Sequence, residues 1–374
     1  MTTDALSGPR ILFAGGGTGG HIYPALAMAE AVKKLEPKAR IDFVGTPAGL
    51  ESKLVPQAGY QLHLISVGRL HHSVGVIERI KTILNLPSAL IKSFYLLRTL
   101  RPTTVVGVGG YASGPIVLAA ALTRIRTFIW EPNAYPGLAN RILSRFVDRC
   151  LVVFNEAGEI LKNKNVIHVH VPVRREIEEL MPHFSQNDNL NLLIFGGSQG
   201  SRALNNVLLE CVTKGGEWLD HVRIVHQTGA ADYERLQKNY TAVLRAQRFL
   251  EVHEYLDDMP ARLKWADLVV ARAGTGTISE LAACSKAAIL VPLPTAADDH
   301  QTKNAEALVK MNAAILIPQK KFTVELLINE ISALKNNREK LRELAHNIHS
   351  FHRKQAADEI AKLLLDDDLR NEER

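Results

Sequence analysis

The sequence predicts an α/β protein made of two doubly wound parallel sheets, one after the other along 374 residues. Two observations carry this. Short apolar runs alternate with helical patterns almost from end to end, the order that buries a parallel sheet between layers of helices. One unit, an apolar strand entering a glycine-rich turn that opens a helix, also stands near the start and recurs about halfway along. The length suits two domains of ordinary size. A composition 46% hydrophobic and 22% charged is that of a globular chain.

The first copy runs Ile11-Leu12-Phe13-Ala14, then Gly15-Gly16-Gly17-Thr18-Gly19-Gly20-His21, then a helical pattern from Pro24. Glycines let backbone approach a ligand closely. The free N–H groups and dipole of a helix start favour negative charge. Gly15-x-Gly17-x-x-Gly20 also satisfies the dinucleotide fingerprint, which requires an acid ending the next strand to hold a ribose. The next strand, Ile41-Asp42-Phe43-Val44-Gly45-Thr46, has its acid at the front and a glycine near the end. A phosphate loop is therefore expected, and a nicotinamide site is disfavoured.

After this strand come a turn at 46–49, a second helix ending near Gly59 and a short strand from Gln61 to Ser66. Residues 69–101 are basic and apolar together. Ile77, Ile80 and Leu84 fall at helical spacing, Pro87 interrupts, and Leu90, Phe94 and Leu97 resume, which predicts two helices. Arg69, Arg79, Lys81, Lys92, Arg98 and Arg101 face only Glu78 in sign. The plain reading is helices packed on the sheet with a solvated basic face. The sharper one is an apolar patch rimmed by cations that rests on an anionic membrane surface. Different stripes of one helix can serve both.

Thr104–Val108 reads as a buried strand entering a second glycine turn, Gly109 to Pro115. Thr127–Trp130 is a strand ending in Glu131-Pro132-Asn133, where ligands sit in open parallel sheets. A strand from Cys150 to Phe154 completes the first half. The pattern loosens over 165–190, where the linker is expected. The expected domains are 1–170 and 171–350, with 351–374 as a final helix and charged tail.

The second copy is Leu192-Leu193-Ile194-Phe195, then Gly196-Gly197-Ser198-Gln199-Gly200-Ser201, then a helix from about Ala203. Strands follow at 222–226, 249–253 and 268–271. The last enters a third glycine turn, Arg272-Ala273-Gly274-Thr275-Gly276-Thr277-Ile278-Ser279-Glu280. Strands at 288–291 and 314–317 flank Ala297-Asp298-Asp299-His300-Gln301-Thr302-Lys303-Asn304.

Several classes are disfavoured. Cys150, Cys211 and Cys284 show no paired spacing, so neither disulfides nor a zinc site is expected, in keeping with a reducing compartment. The polar start, Met1 to Arg10, has no signal-peptide pattern, and no apolar run reaches a membrane span. The formal charge of +6 is modest, and no aromatic-basic ladder points to nucleic acid. Asp257-Asp258 and Asp298-Asp299 lack a third ligand at sensible spacing, and His346, His349 and His352 read as surface histidines. No metal and no cofactor is expected.

The glycine loops taken together resemble one family, MurG, over about Arg10 to His352. The resemblance rests on Gly-Gly-Thr-Gly-Gly-His at 16–21, Gly-Gly-Tyr-x-Ser-Gly-Pro at 109–115, Pro-Val-Arg at 172–174, Gly-Gly-Ser-Gln-Gly at 196–200 and Asp-Asp-His-Gln-x-x-Asn at 298–304. It implies a GT-B glycosyltransferase, two Rossmann-like doubly wound domains facing across a cleft. The implied donor is UDP-N-acetylglucosamine, held mainly by the second domain. The implied acceptor is the undecaprenyl-pyrophosphoryl-N-acetylmuramyl-pentapeptide, lipid I, met by the first domain at the cytoplasmic face of the inner membrane. Carried over by position, the donor contacts fall on Thr18, Gly19, Gly20, Asn133, Arg174, Ser198, Leu256, Thr275, Gly276, Thr277, Ile278, Ser279, Glu280 and Gln301. The chain departs from the family pattern at Pro132, where glutamine is usual, at Val171, where asparagine is usual, and in the Gly-Thr-Gly of 274–276.

Glycosyl transfer must stabilise a departing diphosphate and deprotonate a hydroxyl. The Ser198 loop offers a hydroxyl, N–H groups and a positive helix start; the alternative for Ser198 is an N-cap. Arg174 suits a diphosphate through its forked donors, or else an ordinary salt bridge. Glu280 can accept two ribose hydroxyls, or else decorate a first helical turn. Gln301 and Asn304 suit sugar hydroxyls. Leu256 would reach uracil through its backbone. His21 is the candidate base, since histidine titrates near neutral pH; its competing role is to hold acceptor phosphate.

Overall fold

The computed structural model describes residues 8–17, 19–47, 49–65, 76–110, 112–180, 188–243 and 249–366, leaving aside the side chains of 76–83, 242 and 243. The chain divides into two compact units. One runs as far as Pro172 and takes in the stretch from Gln355; the other spans Val173–Lys354.

The first unit reads β1 (Arg10–Gly15), α1 (Gly19–Leu35), β2 (Arg40–Gly45), α2 (Glu51–Gln57), β3 (Gln61–Leu64), α3 (Val76–Leu100), β4 (Thr104–Gly109), α4 (Ser113–Leu122), β5 (Arg126–Glu131), α5 (Leu138–Leu143), β6 (Arg149–Val152), α6 (Asn155–Ile160) and β7 (Val166–His168). Its strands lie in the order β3-β2-β1-β4-β5-β6-β7, every neighbouring pair parallel. Successive residues of β1 serve opposite faces. Ile11 and Phe13 pack with Met28, Val32, Phe43 and Trp130, whereas Leu12 and Ala14 pack with Val105, Ile116, Val117 and Ile129. Both faces are covered, which is why these strands read as unbroken apolar runs.

Three expectations change here. Residues 76–100 form one helix with Pro87 inside it, not two helices. An interior proline removes one backbone bond and crowds the preceding turn. Beyond it, Ala89, Ser93, Leu97 and Leu100 recur on one buried stripe, and that burial carries the helix through. The strand expected at 150–154 stops at Val152, and Phe154 caps α6 instead. Part of the expected linker, Val166–His168, is an edge strand paired with β6.

The second unit reads α7 (Arg175–Glu178), β8 (Leu190–Phe195), α8 (Arg202–Lys214), β9 (Val222–Gln227), α9 (Tyr233–Val243), β10 (Leu250–His253), α10 (Met259–Trp265), β11 (Leu268–Ala271), α11 (Thr275–Ala283), β12 (Ala287–Leu290), α12 (His300–Lys310), β13 (Ile315–Leu316), α13 (Val324–Asn336) and α14 (Arg338–His349). Its sheet runs β10-β9-β8-β11-β12-β13, again all parallel. The first strand of each unit sits between the second and the fourth, so each sheet has its switch point beside that strand. The last helix, α15 (Ala356–Leu365), rejoins the first unit. Its Ile360, Ala361 and Leu364 share a core with Met28 and Val32 of α1, and Lys34 pairs with Asp358 at 3.0 Å.

Candidate active site

In the first unit the switch point lies between β1 and β4, and two glycine turns meet there. Gly16 donates its N–H to the Gly109 carbonyl at 3.1 Å. Gly109 has φ +97°, and a Cβ on it would come within 2.7 Å of the His21 ring. His21, third residue of α1, is half-buried against that turn. Thr18 lies outside the described residues. Gly19 and Gly20 form the first turn of α1, whose N–H groups have no partner within a helix.

A residue that sequence reasoning did not single out organises this loop. Glu51, first in α2, is buried. Its Oε2 accepts the Gly17 N–H at 2.6 Å, and its Oε1 accepts the Thr46 N–H at 2.9 Å and the Thr46 hydroxyl at 3.0 Å. Burial pushes this carboxyl up, but the bonds from Gly17, from Thr46 and from its own backbone N–H together hold it below the ordinary range. A Cβ on Gly16, Gly45 or Gly49 would overlap the Glu51 side chain. The glycine near the end of β2 is thus there to admit a carboxylate. The amides of Gly16 and Gly17 are both committed inside the protein, so among the described residues of this loop it is the α1 start that is left to meet an anion.

Asn133 follows β5. Its N–H and Nδ2 both donate to Glu131 Oε1 at 3.0 Å, while Oε2 accepts Gly137 N–H at 3.0 Å and Asn140 Nδ2 at 2.9 Å. Burial pushes the Glu131 carboxyl up, against four donors that pull it down. Glu131 thereby fixes the Asn133 turn, a role its position at a strand end could have suggested.

In the second unit the loop after β8 is open. Gly197 and Gly200 have φ of +88° and +72°, and Gly200 N–H closes a turn onto Gly197 C=O at 2.9 Å. The cap of α8 is Ser201, whose hydroxyl accepts the Leu204 N–H at 3.5 Å. Ser198 is therefore not the cap. It is exposed, and its hydroxyl makes no hydrogen bond among the described residues. Beneath the loop Arg272 is buried, donating to Ser201 Oγ and Gln319 Oε1 at 2.7 Å and to the carbonyls of Val291 and Pro292 at 3.0 Å. Burial lowers its pKa, and no carboxylate pairs with it among the described residues. An unneutralised guanidinium at a helix start adds to the positive field there.

Arg174 and Glu280 are brought together at 2.9 Å, Arg174 exposed and Glu280 half-buried. Burial raises the Glu280 pKa, and Arg174 partly offsets it. Glu280 lies in the second turn of α11, not the first. Gly276, Thr277 and Glu280 share the more open face, while Thr275, Ile278 and Ser279 are buried, with Ser279 Oγ bonded to Thr275 C=O at 2.8 Å. Any contact from Ile278 or Ser279 must therefore come from backbone. Gln301 accepts the Leu293 N–H through Oε1 at 2.9 Å, and its Nε2 makes no hydrogen bond among the described residues. Asn304 is fully buried and ties α12 to Ala273 C=O and Thr275 Oγ1, so it shapes the third glycine turn and does not present itself to a sugar. Leu256 is buried and donates its N–H to Gln227 Oε1 at 3.1 Å. Its carbonyl is the group left for a base. Among the described residues no cluster of His, Cys, Asp or Glu is placed to hold a metal ion.

Two parallel sheets of one strand order, each opening a helix from a glycine loop at its switch point, are the architecture of the GT-B glycosyltransferases. The comparisons agree with this class. Residues 11–152 match the glycosyltransferase family 28 N-terminal domain, and residues 191–362 match its C-terminal domain. A UDP-N-acetylglucosamine–N-acetylmuramyl-(pentapeptide) pyrophosphoryl-undecaprenol N-acetylglucosamine transferase of Bdellovibrio bacteriovorus is 49% identical, over 95% of this chain and 98% of that one. A protein of the same name from an Anaeromyxobacter species is 44% identical, over 94% and 92%. The crystal structure of Acinetobacter baumannii MurG superposes with a TM-score of 0.80 at 29% identity, over 95% of this chain and 99% of that one. The chain belongs to the MurG family of glycosyltransferase family 28, the UDP-N-acetylglucosamine-dependent N-acetylglucosaminyltransferases.

Proposed function

We propose that this chain moves N-acetylglucosamine from UDP-N-acetylglucosamine to the 4-hydroxyl of the muramyl sugar of lipid I, giving lipid II for peptidoglycan synthesis. The observation that carries the donor side is the loop after β8, where Ser198 is exposed and relieved of capping by Ser201. The transfer inverts the anomeric centre. The acceptor oxygen bonds to C1 from one face as the C1–oxygen bond to the β-phosphate breaks on the other, forming a β(1→4) link and releasing UDP. The Ser198 hydroxyl, the α8 start and Arg174 take up the negative charge that grows on the leaving diphosphate. Glu280 accepts ribose hydroxyls, the Leu256 carbonyl meets uracil, and Gln301 with Asn133 meets the sugar. Thr277 and the backbone of 275–279 line the same face. Thr18, Gly19 and Gly20 serve the acceptor pyrophosphate as well as the donor. His21 serves the acceptor, either taking its proton or steadying its pyrophosphate.

Radiolabelled UDP-sugars offered with lipid I test this. Label is expected in one lipid product, from UDP-N-acetylglucosamine alone, with kcat about 10²-fold lower in Ser198→Ala, the scale of losing one donor to a developing charge. Absence of lipid-linked label would overturn the activity, and His21→Gln with wild-type kcat would remove both roles of His21.

The enzyme sits peripherally on the cytoplasmic face of the inner membrane, on anionic lipid. In the described part of α3, Leu84, Ile91 and Tyr95 are 73%, 68% and 75% exposed, on one side of the helix beside exposed Lys92 and Arg98. The expected residues 69–75 and the side chains of Ile77 and Ile80 lie outside the description. No described helix is long and apolar enough to cross a membrane. Ile91→Glu plus Tyr95→Glu is expected to weaken co-sedimentation with anionic liposomes at least about tenfold, since burying one such side chain is worth roughly 1.5–3 kcal/mol. Unchanged binding by the folded variant would place the lipid contact elsewhere.

A further inference from the structure

We infer that Gln227 is a positioning residue of the donor site, one buried side-chain amide that aims the Ser198 amide and selects the base; this rests on the donor reading of the second unit. Gln227 ends β9, the strand lying between β8 and β10, and sits in register with Phe195 on one side and His253 on the other. The loop after β8 carries Ser198, and the segment after β10 carries Leu256. Gln227 reaches both. Its Nε2 donates to Gly197 C=O at 2.9 Å and its Oε1 accepts the Leu256 N–H at 3.1 Å, in a side chain that is 2% exposed.

Two consequences follow. A trans peptide points its C=O and N–H in opposite directions. Holding Gly197 C=O toward Gln227 turns the Ser198 N–H away from Gln227, to the side on which the Ser198 side chain is exposed. Gly197 has φ +88°, a conformation from which a peptide flips readily, and its carbonyl is gripped twice, by Gln227 and by Gly200 N–H. At the other end, the Leu256 N–H is withdrawn from any ligand, so Leu256 offers a base an acceptor and no donor. Uracil presents an N3–H, which needs an acceptor; cytosine presents a bare N3, which needs a donor. The arrangement favours UDP over CDP through a residue that touches neither. A glutamine that merely satisfied the core would set stability and leave this preference untouched.

The test measures UDP and CDP affinity by calorimetry, and donor and acceptor KM by turnover, in Gln227→Met and Gln227→Glu. Methionine keeps the volume and loses both bonds; glutamate keeps the acceptor for Leu256 and sets a second oxygen against Gly197 C=O. Both are expected to weaken UDP at least about tenfold, the scale of leaving a buried polar group unpaired, with the KM for lipid I unchanged. The UDP-to-CDP preference is expected to fall about tenfold in Gln227→Met, where the Leu256 N–H is released, and to persist in Gln227→Glu. Wild-type UDP affinity and base preference in a folded Gln227→Met overturn the inference. Ser198→Ala and Glu280→Gln separate the levels: if they too leave UDP affinity intact, the donor reading itself fails. Hydrogen exchange on the intact wild-type chain needs no variant. The Leu256 amide is expected to exchange slowly without ligand, and fast exchange there overturns the inference.

Discussion

Gly200→Ala is expected to destabilise the second unit by about 3 kcal/mol and to remove measurable UDP binding. The residue has φ +72°, which by itself costs an alanine roughly 1–2 kcal/mol. The larger cost is steric, because a Cβ there would overlap the carbonyl of Thr228. The Thr228 carbonyl, just past the end of β9, is held by the buried Asn205 Nδ2 at 3.0 Å, so the loop must lift and take the Ser198 amide with it. Gly197→Ala is the control. Its φ of +88° is equally left-handed, but a Cβ there meets nothing within 4 Å. It is expected to show the strain alone. For a unit of this size about 3 kcal/mol lowers Tm by roughly 6–12 °C and about 1 kcal/mol by roughly 2–4 °C. Equal losses in the two variants would mean that the collision with Thr228 contributes nothing.

Glu51→Ala is expected to cost about 3 kcal/mol and to lower turnover on lipid I at least about tenfold, with UDP affinity falling less than in Ser198→Ala. Truncation removes the charged acceptor of the Gly17 and Thr46 N–H groups and of the Thr46 hydroxyl; Gly17 is exposed and Thr46 half-buried, so what is lost is hydrogen bonding to a carboxylate, worth at most roughly 1.5–3 kcal/mol per bond. It also frees the loop that leads into His21. Glu51→Gln is not expected to rescue, since one oxygen becomes an NH2 facing N–H donors on both sides; a packing role alone would tolerate it. The pH dependence has a definite sign. The folded-state pKa is depressed, so the stabilisation from Glu51 is fully present above its unfolded value near 4.5. It is lost as pH falls through the lower folded value. Glu51→Ala should therefore lack that part of the acid limb in a stability-against-pH curve. An unchanged acid limb, or a Glu51→Gln variant as active as wild type, would show that the carboxylate does not hold the loop.

Much of the fold is legible in the chain. Glycine turns after apolar runs mark the loops at 15–20, 109–110, 196–200 and 274–276, because strand, tight turn and helix start are each decided by neighbours in sequence. The roles inside those loops are less legible. Ser198 can be read from the sequence as the cap of the helix that follows; the dihedral of Ser201 and its bond to Leu204 give the cap to Ser201 and release Ser198. Pro87 is a breaker by propensity, yet the stripe Ala89, Ser93, Leu97 and Leu100 finds a buried surface and overrides it.

The sequence by itself determined two sheets of alternating β and α, the glycine loops at their ends and the family to which the chain belongs. Tertiary structure decided which polar side chains stand behind those loops. Glu51 meets Gly17 across 34 residues, and Gln227 meets Gly197 and Leu256 across 30 and 29. It also decided that α15 covers α1. Periodicity and turn chemistry are local and are written in consecutive residues. A buried donor or acceptor is satisfied by whatever the packed chain brings within 3 Å of it, and that distance does not exist until the sheet has formed.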